Sequence, residues 1–290
     1  MKQYKIMGNR EAQNQYSWEQ AIEILRSDPA HKSLIYDAYL TADLTDNCRR
    51  FYSSSEFKAS LDLLRQHIAD FETVLDMPGG NGIATVAFAK SGFEVTAVEP
   101  DESMTVGRGA ITYNLRQEGL SANVVDAFGE NLPFADHNFD VVYVRQGLHH
   151  AKDLFRMTAE IFRVLKPGGL LLAVREHVVD NYHGSLRRFL ESQIDHQLYG
   201  GENAFTLVDY RSAFSAAGLM PVIELAPYDS PINMYPNDSS TLRSKILDSR
   251  SGRFLRTIMP ANFVARMGLW RLKTRKAPGR LYSFLLRKPA

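Results

Sequence analysis

The stretch from Val74 to Met104, VLDMPGGNGIATVAFAKSGFEVTAVEPDESM, constrains the fold more than any other part of the chain. Val74-Leu75-Asp76 reads as a short buried strand, and Pro78-Gly79-Gly80-Asn81-Gly82 as a tight turn whose glycines let main chain approach a ligand closely. A helix opening near Gly82 presents its unpaired N–H groups to the same space. Glu94 to Val98 alternates and is rich in β-branched residues, so it reads as the next parallel strand. Glu99 then sits at that strand's carboxyl end, where an open α/β sheet carries its ligand-binding groups. Strand, turn, helix and strand in this order build a pocket of the nucleotide type.

A dinucleotide site requires G-x-G-x-x-G, and Gly80-Asn81-Gly82-Ile83-Ala84-Thr85 lacks the third glycine, which allows close helix–strand packing. The stretch instead resembles motif I of class I S-adenosylmethionine (SAM)-dependent methyltransferases, with an acid ending strand one, a glycine turn, and an acid ending strand two. One position departs from the family, Pro78 standing where glycine is usual, which fixes φ and removes an N–H. The resemblance implies cofactor contacts at Asp76, Pro78, Gly79, Gly80, Gly82, Glu99, Pro100 and Met104.

Later phrases extend the resemblance over residues 70–177. Strand three, Ala122 to Asp126, ends in an acid, and Asp126-Ala127-Phe128 with Leu132-Pro133-Phe134 match the family's adenine-binding segment. Phe139 to Val144 is a continuous apolar strand of the kind buried on both faces, followed by Arg145-Gln146-Gly147-Leu148-His149-His150, similar to the family's fourth motif. A helix stripe at Leu154, Met157, Ile161 and Leu165 then reaches Lys166-Pro167-Gly168-Gly169 and a fifth strand, Leu170 to Val174. Asp126, Ala127, Phe128, Arg145 and His149 join the implied cofactor set. The implied fold is α/β and Rossmann-like, a seven-stranded mostly parallel sheet whose last strand is antiparallel. Met220 to Leu225 supplies strand six and Arg280 to Lys288 strand seven.

Residues 1–69 are expected to form an N-terminal helical cap. Its helices are read from Ser17, over Leu34 to Leu40, and over Cys48 to His67, and those from Glu102 to Gln117 and Ser185 to Leu198 follow in the core and beyond. Residues 70–226 with 280–290 make the SAM-binding core, 178–206 an acceptor lid, and 227–279 a helical insertion. Polar-tipped residues of the cap, lid and fourth motif are acceptor candidates: Tyr39, Arg49, His150, Tyr199, Glu202 and Asn203.

Methyl transfer from a sulfonium asks for alignment and desolvation, and for a base when the acceptor is a hydroxyl. His177 is the expected base, with Glu176 orienting it or the acceptor and His183, His196 and Glu202 in reserve; the alternative is a buried histidine satisfied by backbone. No metal is expected. The variant in which Glu176, His177, Asp180 and His196 gather ligands matches no metal-binding spacing.

Charge is uneven: residues 241–290 hold 13 of the 34 Lys/Arg but one of the 33 Asp/Glu, Asp248. Phe254, Leu255, Ile258, Phe263 and Trp270 interleave with those arginines, which suits an anionic membrane surface, a phosphorylated acceptor or a solvated cap face. Nucleic acid is not expected as a partner. Cys48, the single cysteine, excludes an internal disulfide and fits a reducing cytoplasm, and no apolar run is long enough to span a membrane. The expected location is cytoplasmic, with peripheral contact at the inner membrane face. The lid phrase Leu198 to Phe205 and the ending Gly279 to Phe284 resemble a bacterial surface-glycan-associated subgroup, which implies O-methylation of a sugar, glycan or lipid-linked intermediate. A small metabolite methylated at oxygen or nitrogen is the second substrate reading, and SAM binding without turnover is a third possibility of a different class.

Overall fold

The computed structural model describes residues 16–290, so residues 1–15 of the expected cap lie outside the described residues. The cap begins with α1 (Trp18–Ser27), closed by a capping box between Ser17 and Gln20, and continues through α2 (Lys32–Asp37), α3 (Leu44–Ser53) and α4 (Ser55–His67). The helix expected over 48–67 is two helices. Ser54 is extended at ψ 153°, and its hydroxyl accepts the Phe57 N–H as the N-cap of the second.

The core alternates strand and helix: β1 (Thr73–Asp76), α5 (Ile83–Lys90), β2 (Glu94–Val98), α6 (Arg108–Glu118), β3 (Asn123–Val125), β4 (Phe139–Arg145), α7 (Leu154–Val164) and β5 (Leu165–Val179). Helix α6 starts six residues later than expected from Glu102. The Asp101 carboxylate takes the Ser103 N–H and the Asp101 carbonyl takes the Arg108 N–H, a local turn that competes with helix. After β5 come α8 (Ser185–Ser192), α9 (Ile194–Tyr199), β6 (Phe205–Thr206), α10 (Leu207–Ala217) and β7 (Met220–Leu225). The single helix expected over 185–198 is likewise divided, at Gln193, whose ψ of 114° is extended.

The sheet order is β3-β2-β1-β4-β5-β8-β7, where β8 is Arg280–Arg287. Strands β1 to β5 pair in parallel, and β8 runs antiparallel to both β5 and β7, as the sequence implied. An eighth strand, the two-residue β6, pairs beside Val178 and Val179 at the far end of β5. Strand β5 is therefore three times the length expected for it. Lys166 to Gly169 is accommodated as a bulge, with Gly168 at φ +79° and the register jumping from Phe139↔Leu165 to Val141↔Leu170.

Both faces of the sheet are covered. Val142, Val144, Leu171 and Ala173 face α7 and α10 with Met157, Ile161, Tyr210 and Phe214; Val141, Tyr143, Leu170 and Leu172 face Phe51, Phe57, Phe88 and Ile111. This period of two, apolar on both sides, is why the strands read as continuous runs. Helices α3 and α4 thus form part of the second core layer, and α1 is the cap helix that reaches the ligand-facing end. Buried Glu56 of α4 ties that layer to the sheet: it accepts from Arg145 Nε at 2.7 Å, and Arg175 Nε lies 3.8 Å away.

Between β7 and β8 stand three helices, α11 (Ser239–Asp248), α12 (Arg250–Leu255) and α13 (Ala261–Thr274). A Cβ on Gly268 would lie 2.3 Å from Ile246 Cγ2, so glycine sets how closely α13 crosses α11. No helix of the described residues is long and apolar enough to cross a membrane.

Candidate active site

The carboxyl ends of β1 to β4 open into a cavity of about 530 Å³, within the usual range for small-molecule sites. Met77, Pro78 and Gly80 come from the turn after β1; Val98 and Glu99 from β2; Ala127 and Phe128 follow β3; Gln146 and Gly147 follow β4. Tyr199, Gly201 and Glu202 of the lid segment face them, and Trp18 of α1 closes the rim with its ring centroid 5.6 Å from that of Tyr199.

Glu99 organises one wall. Its Oε2 accepts the Gly80 N–H at 2.8 Å and its Oε1 the Asp101 N–H at 2.9 Å, which locks turn and strand end together. Burial pushes its pKa up to about 7 against the lowering effect of those N–H groups. Gly80 has φ +52° and open space where a Cβ would stand, so its main chain faces the cavity. Gly79 and Gly82 serve packing instead. Side chains there would meet Ile111 of α6 at 2.8 and 3.0 Å, and neither residue lines the cavity. Asp76 lies beneath the turn; its Oδ2 accepts from Thr85 Oγ1 at 2.6 Å, its buried Oδ1 has no partner among the described residues, and burial raises its pKa to about 7.

Several expected cofactor residues lie elsewhere. Asp126 is exposed and pairs with Arg108 at 3.1 Å rather than lining the cavity, while its neighbours Ala127 and Phe128 do line it. Met104 is 62% exposed and does not line the cavity. Arg145 is bound to Glu56. His149 lies behind the wall, with Nδ1 2.7 Å from Glu176 Oε2.

The expected catalytic group is displaced by a strand that runs on. His177 is not beyond the strand but within it, opposite Leu281 of β8, because β5 gains both β8 and β6 as partners there. Its ring is packed between His149 and Phe189, its Nδ1 donates to the Gly279 carbonyl at 2.9 Å, and burial with His149 nearby lowers its pKa to about 3. Glu176 faces inward and accepts the N–H groups of Gly147, Leu148 and His149, so it shapes the loop after β4. His183 is exposed in the turn before α8, and His196 on α9 is outside the cavity. Of the acceptor candidates, His150, Tyr199 and Glu202 share the cavity; Asn203 does not line it. Tyr39 is buried in the second core layer, stacked on Tyr235 at 4.9 Å, and Arg49 is exposed beside Asp46. The four residues of the weighed metal variant do not converge, Asp180 facing Arg280 at the surface.

The wall opposite Glu99 is therefore His150 and Glu202, with His149 behind. His150 Nδ1 faces the Gly201 carbonyl at 3.0 Å and its Nε2 is 3.9 Å from Glu202. Burial, then Asp195 and Glu176, raises the Glu202 pKa to about 8. Trp18, Gln146, Gly147 and Gly201 were not singled out from sequence. Gln146 carries a readable signal only in the structure, a non-glycine φ of +51° at a strand end.

The sequence model of a family described as a methyltransferase domain matches residues 75–173. A ubiquinone/menaquinone biosynthesis C-methyltransferase, UbiE, of Psychromonas ingrahamii is 38% identical over 109 residues, 36% of this chain and 42% of that relative, so the match spans well under half of the relative's length. Among solved structures, phosphoethanolamine N-methyltransferase 2 of Haemonchus contortus with S-adenosyl-L-methionine gives a TM-score of 0.57 at 17% identity, covering 95% of this chain and 60% of that one. Geranyl diphosphate C-methyltransferase of Streptomyces coelicolor, with Mg2+, geranyl diphosphate and S-adenosyl-L-homocysteine, gives 0.56 at 14% identity, covering 92% and 87%. These likenesses show the fold, which the chain shares with these two methyltransferases.

Proposed function

We propose that the chain is a SAM-dependent methyltransferase acting on an acceptor hydroxyl. The observation that carries the proposal is one cavity with Glu99 and the Gly80 main chain on one wall and His150 with Glu202 on the other. The chemistry of this donor set fits SAM. A carboxylate at the end of β2 suits a ribose diol, the open main chain of Gly80 suits close approach, Phe128 and Ala127 supply apolar cover for a base, and the unpartnered Asp76 Oδ1 leaves an acceptor beneath the turn. When bound, SAM supplies an electrophilic methyl carbon on a sulfonium. Trp18 and Tyr199 exclude water from the space between the walls. The acceptor hydroxyl's proton passes to His150 Nε2, which is the acceptor nitrogen because Nδ1 donates to Gly201. His150 thus takes the role expected of His177.

Calorimetric titration with SAM, S-adenosylhomocysteine (SAH) and NAD tests the proposal. SAM and SAH bind and NAD does not; NAD binding, or no binding to folded protein, overturns it. Turnover that depends on His150 separates catalysis from binding alone. The acceptor proposed first is a sugar, glycan or lipid-linked intermediate, and an acceptor screen decides against the competing class, carbon, which the quinone relative's printed name describes.

The Glu99 pKa near 7 gives the binding a pH signature. Ribose hydroxyls are accepted by the ionised carboxylate, which forms as pH rises through that value. SAH affinity is therefore expected to increase about tenfold between pH 6 and pH 8, and Glu99→Gln to flatten the profile. A slope that persists in Glu99→Gln assigns the titration to another group.

We also propose that α12 and α13 rest on an anionic membrane surface. Phe254, Ile258, Phe263 and Trp270 are 68%, 65%, 55% and 66% exposed beside exposed Arg250, Arg253, Arg256 and Arg266. Co-sedimentation with phosphatidylglycerol vesicles is expected, weakening with salt and with the Phe254→Ser/Trp270→Ser double variant. Equal sedimentation with neutral vesicles, or none, counts against this reading.

A further inference from the structure

The wall formed by His149, His150 and Glu202 has a second use, one that would replace proton transfer to His150. His149 Nδ1 lies 2.7 Å from Glu176 Oε2, and that carboxylate already accepts three main-chain N–H groups, from Gly147, Leu148 and His149. A carboxylate so surrounded by donors is held as an acceptor, so the His149 Nδ1 carries the hydrogen. His150 Nδ1 faces the Gly201 carbonyl, which only accepts, so it too carries the hydrogen. Both Nε2 atoms are consequently left with lone pairs.

Those lone pairs meet a third acceptor. His149 Nε2 is 3.7 Å and His150 Nε2 is 3.9 Å from the Glu202 carboxylate, and one ligand atom from each of the three residues lies within 4.8 Å of the others. Among the described residues no hydrogen-bond donor reaches the Glu202 carboxylate. Three groups able to offer electron pairs thus converge on one point, an arrangement that a cation satisfies.

We propose that His149 Nε2, His150 Nε2 and the Glu202 carboxylate bind a divalent transition-metal ion of the zinc class, which in turn binds the acceptor oxygen. Two imidazoles and one carboxylate favour zinc, iron or cobalt over magnesium or calcium, whose sites are all oxygen. Bonds near 2.1 Å in a tetrahedral site hold ligand atoms about 3.4 Å apart, so from separations of up to 4.8 Å the trio closes by no more than about 1.4 Å to embrace the ion. Glu176 on His149 and the Gly201 carbonyl on His150 are the outer partners that orient metal-bound imidazoles. Gly201 is itself needed for the bend, since a Cβ there would lie 2.0 Å from the Tyr199 ring. Three protein ligands leave a coordination position, and His150 and Glu202 turn it to the cavity.

With an ion bound, His150 Nε2 is a ligand and no longer the proton acceptor: an acceptor hydroxyl coordinated there would become acidic and give its proton to solvent, and its oxygen would attack the methyl carbon as the C–S bond of the sulfonium breaks and S-adenosylhomocysteine leaves as the thioether. This function rests on the reading of the wall as the acceptor's side, whereas metal binding itself does not. From sequence the trio is invisible: the paired histidines and Glu202 stand 52 residues apart and match no ligand spacing, and no metal was expected.

The test uses full-length protein without a polyhistidine tag, stripped with chelator and titrated with Co2+ while its visible d–d absorption is followed. One Co2+ binds per chain and Zn2+ displaces it. Glu202→Gln and His150→Gln, on a lid loop and an exposed ring, each weaken Co2+ at least about tenfold with the far-UV circular dichroism unchanged. Absence of saturable one-to-one uptake, or uptake that both folded variants retain at full affinity, overturns the proposal. SAH calorimetry on the same samples keeps the two readings apart. Protein that binds SAH and no Co2+ loses the metal site and keeps the methyltransferase reading; protein that binds Co2+ and no SAH does the reverse.

Discussion

Glu99→Ala is expected to weaken SAH binding by about two orders of magnitude. Two hydrogen bonds from a ribose diol to a buried carboxylate are lost, together worth about 3 kcal/mol at the lower end of the range for a charged partner, and about 2.7 kcal/mol is a hundredfold in affinity. The loss extends past the ligand. Gly80 N–H and Asp101 N–H, which now donate to Glu99 at 2.8 and 2.9 Å, are left without acceptors at the edge of the cavity. Glu99→Gln separates the two effects, because it preserves the side chain's volume and one acceptor oxygen while putting an NH2 group against a donor. The expected order of affinity is wild type, then Gln, then Ala, by calorimetry with SAH. An Ala variant that binds within threefold of wild type removes Glu99 from the cofactor site.

The second large effect is on stability. Glu56 is fully buried between two guanidinium groups, accepting from Arg145 Nε at 2.7 Å and Nη2 at 3.3 Å with Arg175 Nε at 3.8 Å. Removing one partner of a buried ion pair costs about 3–5 kcal/mol, because the remaining charge is stranded away from water. Glu56→Ala strands two. Urea unfolding should show a loss of stability of that size, read as a lower midpoint with little change in slope, and Glu56→Gln a smaller one, since the amide oxygen still accepts from Arg145. A shift under about 1 kcal/mol would mean that water reaches the guanidiniums in the variant. Arg145 Nη1 also donates to Gln146 Oε1 at 3.0 Å, so this pair supports a residue of the cavity wall from behind.

The same arginine shows where motif reading stops. Arg145 follows an apolar strand and precedes Gly147-Leu148-His149-His150, and position alone put it on the cofactor. What turned it inward was Glu56, a residue 89 positions earlier in a helix whose stripe of Phe57, Leu61 and Leu64 said only that it would be buried. Gly79 and Gly82 teach a similar lesson. The glycine turn was legible, but which glycine faces the cavity depends on Ile111, which crosses from α6 against the other two. His177 was misplaced because strand length is set by partners: β8 and β6, distant in sequence, extend β5 past the point where its apolar run ends.

The sequence by itself determined the order and type of the core elements, the parallel sheet with its antiparallel last strand, the turn after β1 and Glu99 at the end of β2. These follow from local rules, period two for strands, period near four for helices and glycine where φ is positive, and local rules need only neighbouring residues. Tertiary structure decided the wall that faces Glu99. His149 and His150 end the fourth motif, Glu202 lies in the lid, and Glu176, which aims one imidazole, sits in the strand between; their donor atoms meet because β4 and β5 are adjacent and the lid folds back over them. Convergence of that kind is a property of packing, which joins residues by distance in space rather than by spacing along the chain.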